Sequence, residues 1–251
     1  MSLYTSSMNS SESNRYRLRM WVDEDYNPQG DGGNLEFSLK INVYGKDGLS
    51  MEDRMMMGYD SSNPSDFHTD EYKSKITSIV TKGDTVIPEG VIESWDISEK
   101  QNGSVIAYAE DDGTGAGTYK VTIGGEGKII ANYDMSSYFS GFSNITSINL
   151  MYLDTSITTN MSRLFFQSSN LKEIMLDNLE TSKVTNMSYM FTQNKYLFEL
   201  NLSNFDTSNV TNFFDMFAKN TNMTEILVTR NTWTIPNSAI RDSGVTDFTY
   251  V

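Results

Sequence analysis

Met187-Ser-Tyr-Met-Phe191, Leu197-Phe-Glu-Leu-Asn-Leu202 and Phe205-Asp-Thr-Ser-Asn-Val-Thr-Asn212 are the parts of one 26-residue unit, and the unit recurs. Copies begin at Met135, Met161, Met187 and Phe213, with no insertion or deletion between them. The fifth residue of each copy is phenylalanine: Phe139, Phe165, Phe191 and Phe217. A fixed period of this length marks an array in which each unit buries its apolar face only against its neighbours.

Two patterns share each unit. Ile148, Ile174, Leu200 and Ile226 form one apolar column; Leu150, Leu176, Leu202 and Val228 form another two residues further on. Residues two apart point to the same face of a strand. Val184, Met187, Met190 and Phe191 instead follow a spacing of three to four, which suits one face of a short helix. Thr181, Ser182 or Asn186 is placed to cap its start. These patterns predict an α/β fold: a leucine-rich-repeat-like solenoid of parallel strands and short helices, preceded by a small β-rich N-terminal domain. The phenylalanines Phe139, Phe165, Phe191 and Phe217 are expected to stack as its internal ladder. Residues between the buried strand positions point outward. Glu173, Met175, Asp177, Glu199, Asn201, Ser203, Glu225 and Leu227 are therefore the candidate ligand-binding face.

Asp206-Thr-Ser-Asn-Val-Thr-Asn212 followed by Phe213, with Phe217 at the fifth position, resembles the 26-residue repeat of bacterial surface proteins. That repeat defines the BspA-like branch of the leucine-rich repeat family, found in Gram-positive bacteria, mycoplasmas and their phages. The resemblance spans residues 135 to 238, and Trp95-Asp-Ile-Ser98 through Gly127-Lys128 is similar to the segment that often precedes such repeats. It implies adhesion or host-surface binding without an assigned enzymatic activity. The fourth copy departs from the pattern at Trp233-Thr-Ile-Pro236, where proline cannot continue a helix.

The chain carries 33 acidic and 19 basic side chains, a formal net charge of −14. That balance repels phosphate backbones and anionic membrane surfaces, so no nucleic-acid partner is expected. Cysteine is absent, which removes disulfides, thiolate nucleophiles and cysteine-based metal sites. No apolar run is long enough for a transmembrane helix, and no membrane insertion is expected. Met1 to Ser10 lacks the charged and apolar regions of a secretory signal. This leaves two readings: a fragment of a longer surface protein, or a protein released by lysis.

The expected organisation is a polar N-terminal arm at 1–14, a β-rich domain at 15–94, a capping hairpin region at 95–134, four repeats at 135–238 and a C-terminal cap at 239–251. Tyr16–Val22 and Leu35–Val43 read as strands. Tyr72, Ile76, Ile79 and Val80 share one face of an expected helix capped by Thr69. Ser104–Glu110 and Thr118–Ile123 read as a hairpin covering the first repeat.

Candidate chemistry is sparse. Asp23-Glu-Asp-Tyr-Asn27 opens like a calcium loop, but Pro28 and Asn34 stand where the turn glycine and bidentate glutamate belong. Gly113-Thr-Gly-Ala-Gly117 leads into a strand, whereas a phosphate cradle needs a helix. His68, the single histidine, reads as a surface or loop residue. No catalytic residue, metal or cofactor is assigned. The sequence reading is a non-catalytic structural or binding protein associated with a phage virion. Its N-terminal region would attach to other virion proteins and could make an oligomer, and its repeats would meet a host-surface protein or glycan. The alternatives are an extracellular adhesin ectodomain and, third, a glycan-active enzyme.

Overall fold

The computed structural model describes residues 50–64, 66–229, 233, 236–245 and 248–250. The expected arm, the strands at 16–22 and 35–43, and the acidic loop after Asp23 lie outside the described residues. Contacts divide the chain into Met1–Leu49 and Ser50–Val251, and the described residues all belong to the second unit.

The Thr77-Ser-Ile-Val-Thr81 run, rich in β-branched residues, forms a strand rather than the helix that its apolar spacing suggested. Strand β1 spans Ile76–Lys82, and helix α1 is confined to Asp70–Lys73. The strand wins because both of its edges are paired. Strand β2 is Glu93–Asp96, β3 is Val105–Asp111 and β4 is Tyr119–Gly125. Strand β4 runs parallel to β1 on one side, and β6 (Ser147–Asn149), from the first repeat, runs parallel to it on the other. Thus β1, not the β3–β4 hairpin, abuts the first repeat. The sheet continues to β8 (Glu173–Met175) in the order β2-β3-β4-β1-β6-β8. The short strands β5 (Ile129–Ile130) and β7 (Leu153–Asp154) pair separately. Strands β9 (Glu199–Leu202), β10 (Glu225–Val228) and β11 (Phe248–Tyr250) form a second parallel sheet.

The α/β leucine-rich-repeat solenoid is overturned. The described residues are mostly β, in mixed sheets, and α1 is their only α-helix. The segments expected to be helical after each Met or Phe start are turns, for a reason visible in their backbone bonds. An α-helix returns each N–H to the carbonyl four residues back. Here alternate N–H groups leave for the next copy: Met187 to Asn212, Tyr189 to Phe214, Phe191 to Met216 and Gln193 to Ala218, each at 2.9 or 3.0 Å. The intervening Met190 and Thr192 close tight turns onto Met187 and Tyr189. Continuing this path requires left-handed backbone at the third and seventh positions. Ser137, Arg163, Tyr189 and Asp215 have φ of 54–60°, and Gln167, Gln193 and Lys219 have φ of 59–66°. Only Gly141 supplies a residue suited to that region. The apolar spacing of three to four is met by this turn stack as well as by a helix.

Inside, Phe139, Phe165, Phe191 and Phe217 are fully buried and lie nearly parallel. Successive ring centroids are 5.8, 5.4 and 5.8 Å apart. A continuous apolar core runs from Met56 and Phe67 through these rings to Val245. The stack continues past the fourth copy, since Phe217 donates to the Ala239 carbonyl and β11 pairs with β10. Trp233, largely buried, stacks on Phe205 and donates its indole N–H to the Phe205 carbonyl at 3.1 Å.

Polar columns fix the spacing between copies. Thr181, fully buried, donates to the Asp206 carbonyl at 3.0 Å and accepts from the Asp206 N–H at 2.8 Å. Thr155 makes the same pair with Glu180. These threonines join copies rather than cap helices. Thr181→Val keeps the shape but strips both bonds from the Asp206 backbone. It should cost about 1–3 kcal/mol in urea unfolding, with Thr181→Ser retaining most of the stability.

Candidate binding face

Strand alternation decides which side chains face out. Along β9, Glu199 and Asn201 are exposed while Leu200 and Leu202 are buried. Along β8, Glu173 and Met175 are exposed and Ile174 is half-buried. Asp177 is exposed, and Ser203, Glu225 and Leu227 are half-buried. The outward residues fall into two patches rather than one row, because β8 ends one sheet and β9 begins the other. One patch holds Glu173 and Met175 beside Ser147 and Asn149. The other holds Glu199, Asn201, Glu225 and Leu227 on paired strands.

Electrostatics and hydrogen bonding differ among these residues. Glu199 and Glu225 stand directly opposite each other in the β9–β10 register. Like charges so placed oppose folding, and neighbouring strands are only about 4.8 Å apart. Glu225 accepts from the Thr249 hydroxyl at 2.5 Å. Asn201 uses its side-chain oxygen on Ser203, accepting from both the backbone N–H and the hydroxyl. That amide therefore shapes the strand end, leaving Glu173, Asp177, Glu199 and Met175 as the exposed groups.

Two exposed aromatics were missed by the sequence reading. Tyr196 is 46% exposed and Phe198 is 53% exposed, both on the approach to β9. A signal for Tyr196 was present. The equivalent positions in the other copies are Asn144, Asn170 and Asn222, whose side-chain amides donate to the carbonyls of Ser74, Ser143 and Lys195. Tyr196 gives up that inter-copy bond and displays a ring instead. On another edge, the Arg163 guanidinium lies 5.1 Å from the Tyr189 ring and 5.9 Å from Phe166.

His68 is a loop residue but not a surface one: it lies in a turn, is 3% exposed and is engaged at both ring nitrogens. Nδ1 lies 2.5 Å from the Asp66 carboxylate and Nε2 lies 2.8 Å from the Tyr138 carbonyl. One ring nitrogen thus faces a carboxylate and the other a backbone carbonyl. Burial pushes the Asp66 carboxyl up, but the His68 hydrogen bond, its charge and its backbone N–H outweigh that and hold it below the usual carboxylate range. The dyad ties the segment before α1 to the first repeat. It borders a cleft of about 200 Å³ that Tyr59, Asp60 and Asn63 also line. Among the described residues no group of three or more His, Cys, Asp or Glu is placed to hold a metal ion. No helix among them is long and apolar enough to cross a membrane.

Residues 133–243 match the model of a family described as Mycoplasma protein of unknown function, DUF285. This corrects the resemblance drawn from the repeat motif: the match is to that family and not to the BspA-like leucine-rich repeat family, and it carries no phage term. Searches of curated proteins and of solved structures gave no match.

Proposed function

We propose that this is a non-catalytic binding protein whose outward repeat face engages a surface protein or glycan. The observation that carries the reading is the acidic pair on β9 and β10. Glu199 and Glu225 oppose each other in register, an arrangement that costs stability, while exposed Glu173 and Met175 lie in the other patch on β8. Such a face suits a partner with complementary positive charge and some apolar surface. Attachment through the residues before Ser50, to a virion or a cell surface, and oligomer formation there are parts of the proposal that rest on sequence composition.

The test is binding of the full chain to intact cells and to cell envelopes, compared with the triple variant Glu173→Lys, Glu199→Lys, Glu225→Lys. These side chains lie outside the core, so the fold is expected to persist. Bound protein should fall about tenfold or more, with the loss greatest at low salt. Undiminished binding by the triple variant would remove this face from the account. Release of sugars from the same envelopes, abolished by one carboxylate substitution, would replace it with a hydrolase.

A further inference from the structure

The segments that lead into β6, β8 and β9 carry a second surface of different chemistry. The left-handed turns bring the seventh and ninth residues of successive copies together, and Gly141, Ser143, Gln167, Ser169, Gln193 and Lys195 line a shallow groove of about 320 Å³. Its walls are amides, hydroxyls and one ammonium group. Gln167 donates through Nε2 to Gln193 Oε1 at 3.0 Å across the copies. That bond fixes both amides in one direction, leaving Gln167 Oε1 as an acceptor and the Gln193 amide protons as donors. Backbone bonds from Gly141 to Phe166, from Gln167 to Thr192 and from Gln193 to Ala218 hold the groove floor.

The third copy breaks the repeat pattern at this groove, twice in succession. Lys195 stands where the earlier copies have Ser143 and Ser169, and Tyr196 comes next where they have asparagine. Lys219 continues the column of Gly141, Gln167 and Gln193 in the fourth copy. Lys195 and Lys219 are both exposed, and neither enters an ion pair among the described residues. Positive charge gathers here in a chain of net charge −14. The groove thus runs from a neutral hydroxyl end to the Lys195 ammonium, with Lys219 one copy further along the column and the exposed Tyr196 ring next in the chain.

We propose that this groove binds a linear glycan bearing carboxylate groups. Paired amides and serine hydroxyls meet sugar hydroxyls, which both donate and accept. Lys195 and Lys219 meet the carboxylates, and the Tyr196 ring offers an apolar face for a sugar ring. Stacked copies repeat at about the separation of neighbouring strands, near 4.8 Å, so a polymer lying along the groove meets a hydrogen-bonding side chain at each step. The groove and the acidic sheet face share no side chain, so each can be altered without substituting the other.

The experiment is calorimetric titration of the full chain with oligogalacturonate, with dextran of similar length as the uncharged control and dextran sulfate as the charge-only control. Saturable binding of oligogalacturonate is expected, without binding of dextran. Gln193→Ala and Tyr196→Ala should each weaken it about tenfold, and Lys195→Gln should weaken it and flatten its salt dependence. The sheet-face triple variant should bind as the parent does. Failure to bind oligogalacturonate overturns the proposal, as does equal binding of dextran. Equal binding of dextran sulfate, lost only with Lys195→Gln, also overturns it by reducing the groove to an unspecific charge contact. Unchanged binding by the Gln193 and Tyr196 variants overturns it as well.

Discussion

Phe191→Ala lowers the unfolding free energy by about 3–5 kcal/mol, the range for truncating a buried phenylalanine. The position argues for the upper half of that range. Phe191 is fully buried between Phe165 at 5.4 Å and Phe217 at 5.8 Å, so both neighbours lose a stacked partner. The cavity cannot readily collapse, because backbone bonds tie the ring's segment to the copies on both sides. Phe165 donates to the Met190 carbonyl and Phe191 donates to that of Met216, each at 2.9 Å. Phe139 and Phe217, which have fewer ladder neighbours, should cost less. Urea unfolding followed by circular dichroism checks the order, and a cycle combining Phe165→Ala with Phe191→Ala should show coupling of about 0.5–1.5 kcal/mol. A loss under about 1 kcal/mol at Phe191 would mean that the rings do not stack as described.

His68→Ala is expected to be similarly damaging, at about 3–5 kcal/mol, because it leaves the Asp66 carboxylate buried without its partner. Phe67 stacks on the His68 ring at 4.2 Å and Tyr138 meets it edge-on at 4.6 Å, so the imidazole is closely packed where it meets Asp66. The double variant Asp66→Ala, His68→Ala should recover part of the loss, since it removes the stranded charge. The pH dependence has a definite sign. The Asp66 carboxyl is held below its ordinary range in the folded chain. Its contribution is therefore present above the unfolded value of about 3.9 and is lost as pH falls through the lower folded value. Unfolding measured from neutral pH down into that acid range should steepen in the parent. Asp66→Asn should lack this component.

The period and phase of the repeat were legible in the sequence because stacking forces the same side chain into the same column, as at Ile148, Ile174, Leu200 and Ile226. The path between those columns was not legible. Val184, Met187, Met190 and Phe191 satisfy the helical spacing, but so does a row of tight turns whose alternate N–H groups bond to the next copy. Left-handed backbone at Arg163, Tyr189 and Gln193 leaves no glycine to betray it. Ile76, Ile79 and Val80 misled for a related reason: pairing with β4 and β6 on both edges overrode an apparent helix face.

The candidate site was legible in part. Strand alternation placed Glu173, Met175, Glu199 and Asn201 on the surface, while the break between β8 and β9 depends on pairing that no single copy encodes. The groove could have been found by writing the seventh, ninth and tenth residues of each copy in columns. Polar groups recur there, and Lys195 and Tyr196 interrupt the pattern. The burial of His68 was not legible because its partners are a carboxylate two residues away and a carbonyl seventy residues away, and only folding brings the second within reach.

The central claim is that the segment after each repeat start bonds sideways to the next copy, which turns the intervening strands outward as a face. Scalar coupling across hydrogen bonds, measured by nuclear magnetic resonance on deuterated, isotope-labelled protein, reports donor and acceptor directly. The Phe191 amide nitrogen should couple to the Met216 carbonyl carbon, and the Tyr189 nitrogen to that of Phe214. Coupling of Phe191 to the Met187 carbonyl would instead place an α-helix there and contradict the account.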